Sequence, residues 1–271
     1  MKIAAYNLKN GGFTNYDYEE ELPPRMPQIR KAVEALVADC VCLVDTYRWK
    51  NIYTDAELAE MFGYPYAYQC ELADETVEPD ICLAFLSKYP VSDSEAVSLG
   101  SRNALRCTVE DGEEKTDIYT TYFYHADEDI RLTQTKLLLN DIESRASQRV
   151  VVAGDLNTFD NHNQQGNKEG IRELKELHPD LYAHVGPWVE DMMRGEVIKE
   201  LGSKGILGEK TDFQASLATP LLHPALGPEA KWFRVDYVLA SSNIKVSETV
   251  VKQGGIFEEA SDHYPVVANI S

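Results

Sequence analysis

Asp155 and Asn157 stand one residue apart in the stretch QRVVVAGDLNTFDN (residues 148–161), just after an apolar run and a glycine. On extended backbone, side chains at i and i+2 share a face, so the pair presents one charged and one neutral oxygen to the same point. That suits a hard cation, or a water held beside a phosphate. It equally suits a turn, because Asp and Asn bond their own backbone there. Other polar residues fall in similar places. Asn7, Asp45 and His125 each end an apolar run, Asp236 lies inside WFRVDYVLAS, and Asp262 precedes His263 in SDHYPVVANI. A carboxylate inside an apolar strand needs a partner to be tolerated. Asn7, taken alone, reads as a satisfied turn residue.

Groups so scattered can meet only if strands end at one rim of a rigid scaffold. Residues 150–153 (VVVA) predict a strand covered on both faces, and residues 2–7 and 41–44 predict two more. Apolar positions Ile29, Ala32, Val33, Leu36 and Val37 recur at helical spacing within residues 28–38. Residues 54–62 carry a capping box, Thr54 with Glu57 three residues on, and Gly63 to close the helix. YPYAYQCEL and ICLAFLSKYPV read as strands around an acidic turn. Residues 104–109 and 116–124 read as a hairpin about Asp111-Gly112. Further expectations are helices at 131–144 and 189–201, a loop at 161–167, and strands at 232–241, 246–251 and the end of the sequence. No internal repeat or linker is evident, so residues 1–271 read as one α/β domain.

Composition narrows the function. The hydrophobic fraction of 44% can fill a sizeable core, and no stretch has the roughly 20 apolar residues of a membrane span. MKIAAYNLKNGG enters a strand pattern at once, without the form of a secretory signal. Five cysteines, mostly inside apolar runs, read as reduced core thiols of a cytoplasmic protein. Lys+Arg 26 against Asp+Glu 45 gives a net charge of -19, which disfavours a general nucleic-acid binder without excluding one.

YNLKN, LSKYPV, YFYHAD with Arg131 and Gln134 after it, GDLN, RVDYVLAS and SDHYPV occur in that order. Together they resemble the endonuclease/exonuclease/phosphatase superfamily, whose best-known members are related to pancreatic deoxyribonuclease and the abasic-site endonucleases. The resemblance covers nearly the whole chain. It implies a four-layer α/β sandwich, two facing mixed and mainly antiparallel sheets flanked by helices. It implies that Asn7, Asp45 and Asp262 hold a divalent metal, magnesium with manganese as the alternative. It gives Asp155 the role of orienting or deprotonating the attacking water, with Asn157 steadying water, metal or phosphate. His263 would lie by the scissile phosphate, paired with Asp236, and His125 would donate to a phosphate oxygen. Asp45 departs from the family's usual glutamate and is one methylene shorter, which bears on metal preference. The carboxylate that often supports the first histidine has no assignable match; Glu71 and Asp80 are both near the right place.

The resemblance thus implies a metal-dependent phosphoester hydrolase, and the acidic surface favours a small or medium substrate. The alternative is an endo- or exonuclease with a basic strip, for which Arg48, Lys50, Lys88, Arg102, Arg106 and Lys168 are the candidates. A third reading keeps the fold as a binding module without turnover. Trp232 and Tyr237 could wall a substrate ring, with core packing as the competing role. His162, His178, His184 and His223 read as surface groups.

Overall fold

The computed structural model describes residues 1–16, 19–72, 80–217, 219, 221–222 and 232–271. The acidic turn after YPYAYQCEL and the position of His223 lie outside these residues. Among the described residues, twelve strands form two sheets of six. The first contains β1 (Lys2–Asn7), β2 (Cys40–Val44), β3 (Tyr66–Glu71), β4 (Cys82–Ser87), β11 (Val246–Val251) and β12 (Val266–Ile270), in the order β11-β12-β1-β2-β4-β3. The second contains β5 (Val91–Ser98), β6 (Asn103–Asp111), β7 (Glu114–Tyr122), β8 (Val150–Asp155), β9 (Ile206–Leu207) and β10 (Asp236–Ser241), in the order β5-β6-β7-β8-β10-β9. Among the described residues, only β1–β2 and β7–β8 are parallel pairs; the other pairs are antiparallel.

Alternation along β8 explains the layering. Val151 and Ala153 face the first sheet and share its core with Leu43, Phe85 and Val267. Val150 and Val152 point the other way, onto Leu138 and Leu139 of α4 (Glu128–Arg145) and Leu201 of α7 (Glu196–Ser203). Each buried aliphatic here contributes roughly 1.5–3 kcal/mol. Across the first sheet, α1 (Met26–Leu36) buries Ile29, Ala32, Val33 and Leu36 and stops at Val37, whose left-handed backbone turns the chain. The short α2 (Trp49–Ile52) precedes α3 (Asp55–Phe62), where the Thr54–Glu57 capping box forms in both directions and Gly63 closes the last turn. Helix α4 is capped by Asp127, which accepts from the backbone N–H of Asp129 and Ile130. All five cysteines are buried and free of disulfides. No helix among the described residues is long and apolar enough to cross a membrane.

Three expectations require correction. Residues 161–167 are not a loop: a single 3-10 turn leads into α5 (Gln164–Leu177), followed by α6 (Pro179–Met192). The polar stretch that suggests a loop instead begins a helix whose glycines serve close packing, since a Cβ on Gly166 would lie 2.4 Å from the Phe213 ring and one on Gly170 only 2.2 Å from the Trp232 carbonyl oxygen. The helix expected at 189–201 is the end of α6 and the start of α7, parted at Gly195, where φ is 59° and a Cβ would sit 2.5 Å from the Phe159 carbonyl oxygen. Residues 232–241 are regular strand only from Asp236, with a lone bridge at Phe233 before it. Strand β5 has no counterpart among the expectations, because VSDSEAVS is an exposed edge without apolar alternation. Helix α8 (Ile256–Ala260) packs against α1.

Candidate active site

Antiparallel register between β8 and β10 sets Asp155 directly opposite Asp236, two buried carboxylates on one rung. On the other side of β8, Gly154 lets β7 come close, because a Cβ there would fall 1.9 Å from the Thr121 carbonyl oxygen. Asp155 Oδ2 accepts from Asn7 Nδ2 at 3.0 Å, and its Oδ1 accepts from the Asn157 backbone N–H at 2.9 Å. Asp236 Oδ2 meets His263 Nδ1 at 2.8 Å, while Asp236 Oδ1 is buried without a hydrogen-bond partner. One ligand atom each from Asp155, Asp236 and His263 lie within 4.8 Å of one another.

These contacts set the protonation states. Burial, then the neighbouring Asp236 charge, raises the Asp155 pKa to about 7, against the lowering influence of His263, the Asn157 N–H and Asn7. Burial alone would depress His263, but the Asp236 carboxylate, by charge and hydrogen bond, outweighs it and lifts the imidazole to about 10. The site therefore pairs a carboxylate poised near neutrality with an imidazolium. Ser261 holds the histidine's backbone: its Oγ accepts from the His263 N–H at 3.2 Å and donates to the Asn7 carbonyl at 2.6 Å.

Asn7, Asp45 and Asp262 form the neighbouring group. Asp45 leaves β2 with φ of 55°. Its carboxylate accepts from the Asn10 N–H at 3.0 Å and from the Tyr16 hydroxyl at 2.9 and 2.8 Å. Burial raises its pKa and these two donors oppose the rise. Burial of its hydroxyl end against Asp45, and then the Asp45 charge, keep the phenol of the otherwise half-exposed Tyr16 protonated, hence a donor. Asp262 Oδ2 lies 3.6 Å from Lys9 Nζ, which also donates to the Leu221 carbonyl at 2.6 Å. Asn7 Oδ1 accepts from the Lys9 N–H at 3.0 Å. Two carboxylates and an amide oxygen have the chemistry of a hard-cation site, although each oxygen set already has a donor from the N-terminal segment.

His125 sits on the strap after β7, half-buried between the Tyr124 and Trp188 rings, each centroid 5.0 Å away. Helix α4 pins this strap. Arg131 Nη1 donates to the Tyr124 and His125 carbonyls at 2.9 Å, and Gln134 Oε1 accepts from the Tyr124 N–H at 2.9 Å. Asn157 Nδ2 donates to the Phe123 carbonyl at 3.0 Å, tying the strap to the Asp155 turn and leaving Asn157 Oδ1 as the atom that could face a ligand.

Arg102 and Trp232 correct the expectation of substrate contact. Arg102 is 2% exposed, its guanidinium donating to the Tyr122 and Phe123 carbonyls between the rings of Tyr122 and Tyr124. Trp232 is 1% exposed and donates to Glu173. Arg102 braces the strap from inside, and Trp232 packs with Phe159, Ile171 and Leu174 under α5. Sequence reasoning did not single out Lys9, Tyr16, Ser261 or Trp188. Lys9 stood in plain view in YNLKN, but its reach to Asp262 depends on a turn no spacing announces. Glu71 and Asp80 hydrogen-bond to Lys50 and Asn51 respectively.

A search of curated proteins returned no match. Among solved structures, a functionally unknown conserved protein from Enterococcus faecalis V583 is similar at 16% identity and a TM-score of 0.70, covering 100% of this chain and 99% of that one. An AP endonuclease from Archaeoglobus fulgidus (15%, 0.67) and the 3' phosphatase NExo from Neisseria bound to product DNA hairpin (14%, 0.62) each align over 100% of this chain and 99% of theirs. At these identities the likeness is one of fold. The profile of the endonuclease/exonuclease/phosphatase family matches residues 4–263, from the strand that carries Asn7 to the histidine paired with Asp236, and the chain belongs to that family.

Proposed function

We propose that the protein is a divalent-metal-dependent phosphoester hydrolase acting on a small or medium substrate. Members of its family are generally hydrolases of phosphoesters. The observation that carries the reading is the buried Asp155 carboxylate, its pKa raised to about 7, beside an imidazole held positive by Asp236. In this reading Asp155 orients a water and takes its proton as the oxygen attacks phosphorus. His263 offers a fixed positive charge to the phosphoryl oxygens as negative charge builds there. His125, on its pinned strap, donates to a second oxygen, and Asn157 Oδ1 steadies the water. Asp45, Asp262 and Asn7 would hold the ion, magnesium or manganese, and a bound ion supplies Lewis-acid polarisation of a phosphoryl oxygen.

A small or medium substrate is supported by where the cations are engaged. Lys50 pairs with Glu71, Lys88 with Asp39, and Arg106 with Asp93, Glu95 and Asp117. Arg48 donates to the Glu20 carbonyl, Arg102 is buried, and Lys168 bonds Gln164. With these groups engaged by the chain itself and a net charge of -19, a strip for a long polyanion lacks support. The nuclease reading keeps the same chemistry and draws on the DNA-directed neighbours described above.

The test is hydrolysis of bis-p-nitrophenyl phosphate, p-nitrophenyl phosphate and plasmid DNA, with magnesium, with manganese and with chelator. Asp155→Asn is expected to lower turnover roughly 10^2- to 10^4-fold with the fold intact. Equal rates in the variant and wild type would reject Asp155 as the base, and preference for plasmid would select the nuclease. Metal binding without turnover on these or a wider phosphoester panel would point to a binding module.

A further inference from the structure

We propose that Lys9 is a tethered cation sharing Asp262 with the divalent ion, so that metal binding is a competition between an ion from solution and an ammonium supplied by the chain. The proposal rests on the metal reading of Asn7, Asp45 and Asp262 given above.

The local backbone is built for this placement. From Lys9 to Gly12 four successive residues have positive φ, 44°, 56°, 59° and 91°. For Lys9 above all that conformation is unfavourable, and it persists only where surrounding contacts enforce it. The enforcing contacts come from Asp45: its carbonyl accepts from the Gly11 N–H at 2.6 Å and its carboxylate from the Asn10 N–H. Gly11 cannot be replaced here, since a Cβ would lie 2.6 Å from the Tyr47 nitrogen. The turn is thus locked to one prospective metal ligand while its first residue reaches another.

Lys9 Nζ spends its short hydrogen bond on the Leu221 carbonyl and stands 3.6 Å from Asp262 Oδ2. The carbonyl positions the ammonium, and the carboxylate feels its charge. The lysine side chain is 25% exposed and the aspartate 11%, so solvent screens the pair only in part. Tyr16 provides the neutral counterpart, its hydroxyl donating to both oxygens of Asp45. An incoming ion meets the Asp45 and Asp262 carboxylates with the Lys9 ammonium already beside Asp262 and the His263 ring 4.0 Å from the same carboxylate, and must displace the phenol from Asp45.

The experiment is a Mn2+ titration without substrate, reading the free ion by electron paramagnetic resonance at fixed pH and ionic strength. It compares wild type with Lys9→Met, Lys9→Arg, Tyr16→Phe and Asp262→Asn, each checked by near-ultraviolet circular dichroism. Lys9→Met is expected to bind Mn2+ about tenfold more tightly, with Lys9→Arg unchanged. Tyr16→Phe is expected to bind more tightly by a smaller factor, and Asp262→Asn more weakly. Lys9→Gln replaces Lys9→Met if the latter does not fold. Unchanged or weaker binding in Lys9→Met, with Asp262→Asn still weakened, overturns the competition and leaves the metal reading standing. No Mn2+ binding by any of the proteins overturns both.

Discussion

At the scale of single residues, the site is governed by one rung of the second sheet. Asp155 and Asp236 face each other in dry surroundings, and the cost of two like charges is met unequally: His263 pairs with Asp236, leaving Asp155 to hold a proton up to near neutrality. Activity is therefore expected to rise with pH through about 7, as Asp155 becomes a base, and to fall through about 10, as His263 loses its charge. A pH–kcat/KM profile tests this, and the lower limb should vanish from the residual rate of Asp155→Asn. Stability follows the same two groups. His263, raised above its ordinary 6.5, contributes fully below that value and loses its contribution as pH rises through about 10. Asp155, raised from 3.8, loses the advantage of its neutral form as pH rises through about 7. Both slopes run downward with rising pH, so denaturation at pH 6 should need more urea than at pH 9.5, and a reversed order would contradict the assignment.

At the scale of elements, glycines decide how closely layers approach. Gly→Ala inside an exposed helix ordinarily stabilises by about 1 kcal/mol. At Gly170 in α5 the added methyl meets backbone, the Trp232 carbonyl oxygen at 2.2 Å, so Gly170→Ala is expected to destabilise by about 1–3 kcal/mol in urea denaturation. A gain in stability would show that α5 can shift. This same residue shows why part of the fold was hidden in the sequence. Strand β8, helix α1 and the Thr54 cap were legible because apolar period and cap chemistry are local. Helix α5 was not, because its first turns are polar and part of its buried face is Asn167 and Gly170, whose role shows only once the segments packed on them are known. Strand β5 was silent for the opposite reason: an exposed edge has no apolar face to write into the sequence. In the site, Asp155, Asp236 and His263 were readable from residue type and order, and the structure brings them together. Arg102 and Trp232 misled because long polar-tipped side chains near a site serve equally well as braces, which only burial distinguishes.

At the scale of the whole molecule, a net charge of -19 repels any phosphoester before it reaches the site. Raising salt from about 0.01 to 0.15 M shortens the screening length from roughly 30 to 8 Å. KM for a small anionic substrate should then fall or stay level, whereas a basic nucleic-acid track would make it rise; steady-state kinetics across that range separate the two. The sheet order carries a consequence in time as well. β1, bearing Asn7, lies between β2 and β12, and His263 comes only just ahead of β12. During translation β1 must wait, one edge bare, until β12 has been made. A chain lacking the residues from His263 onward loses β12 and the imidazole together, leaving β1 with an open strand edge and Asp236 a buried aspartate without its partner, both features that invite association and misfolding.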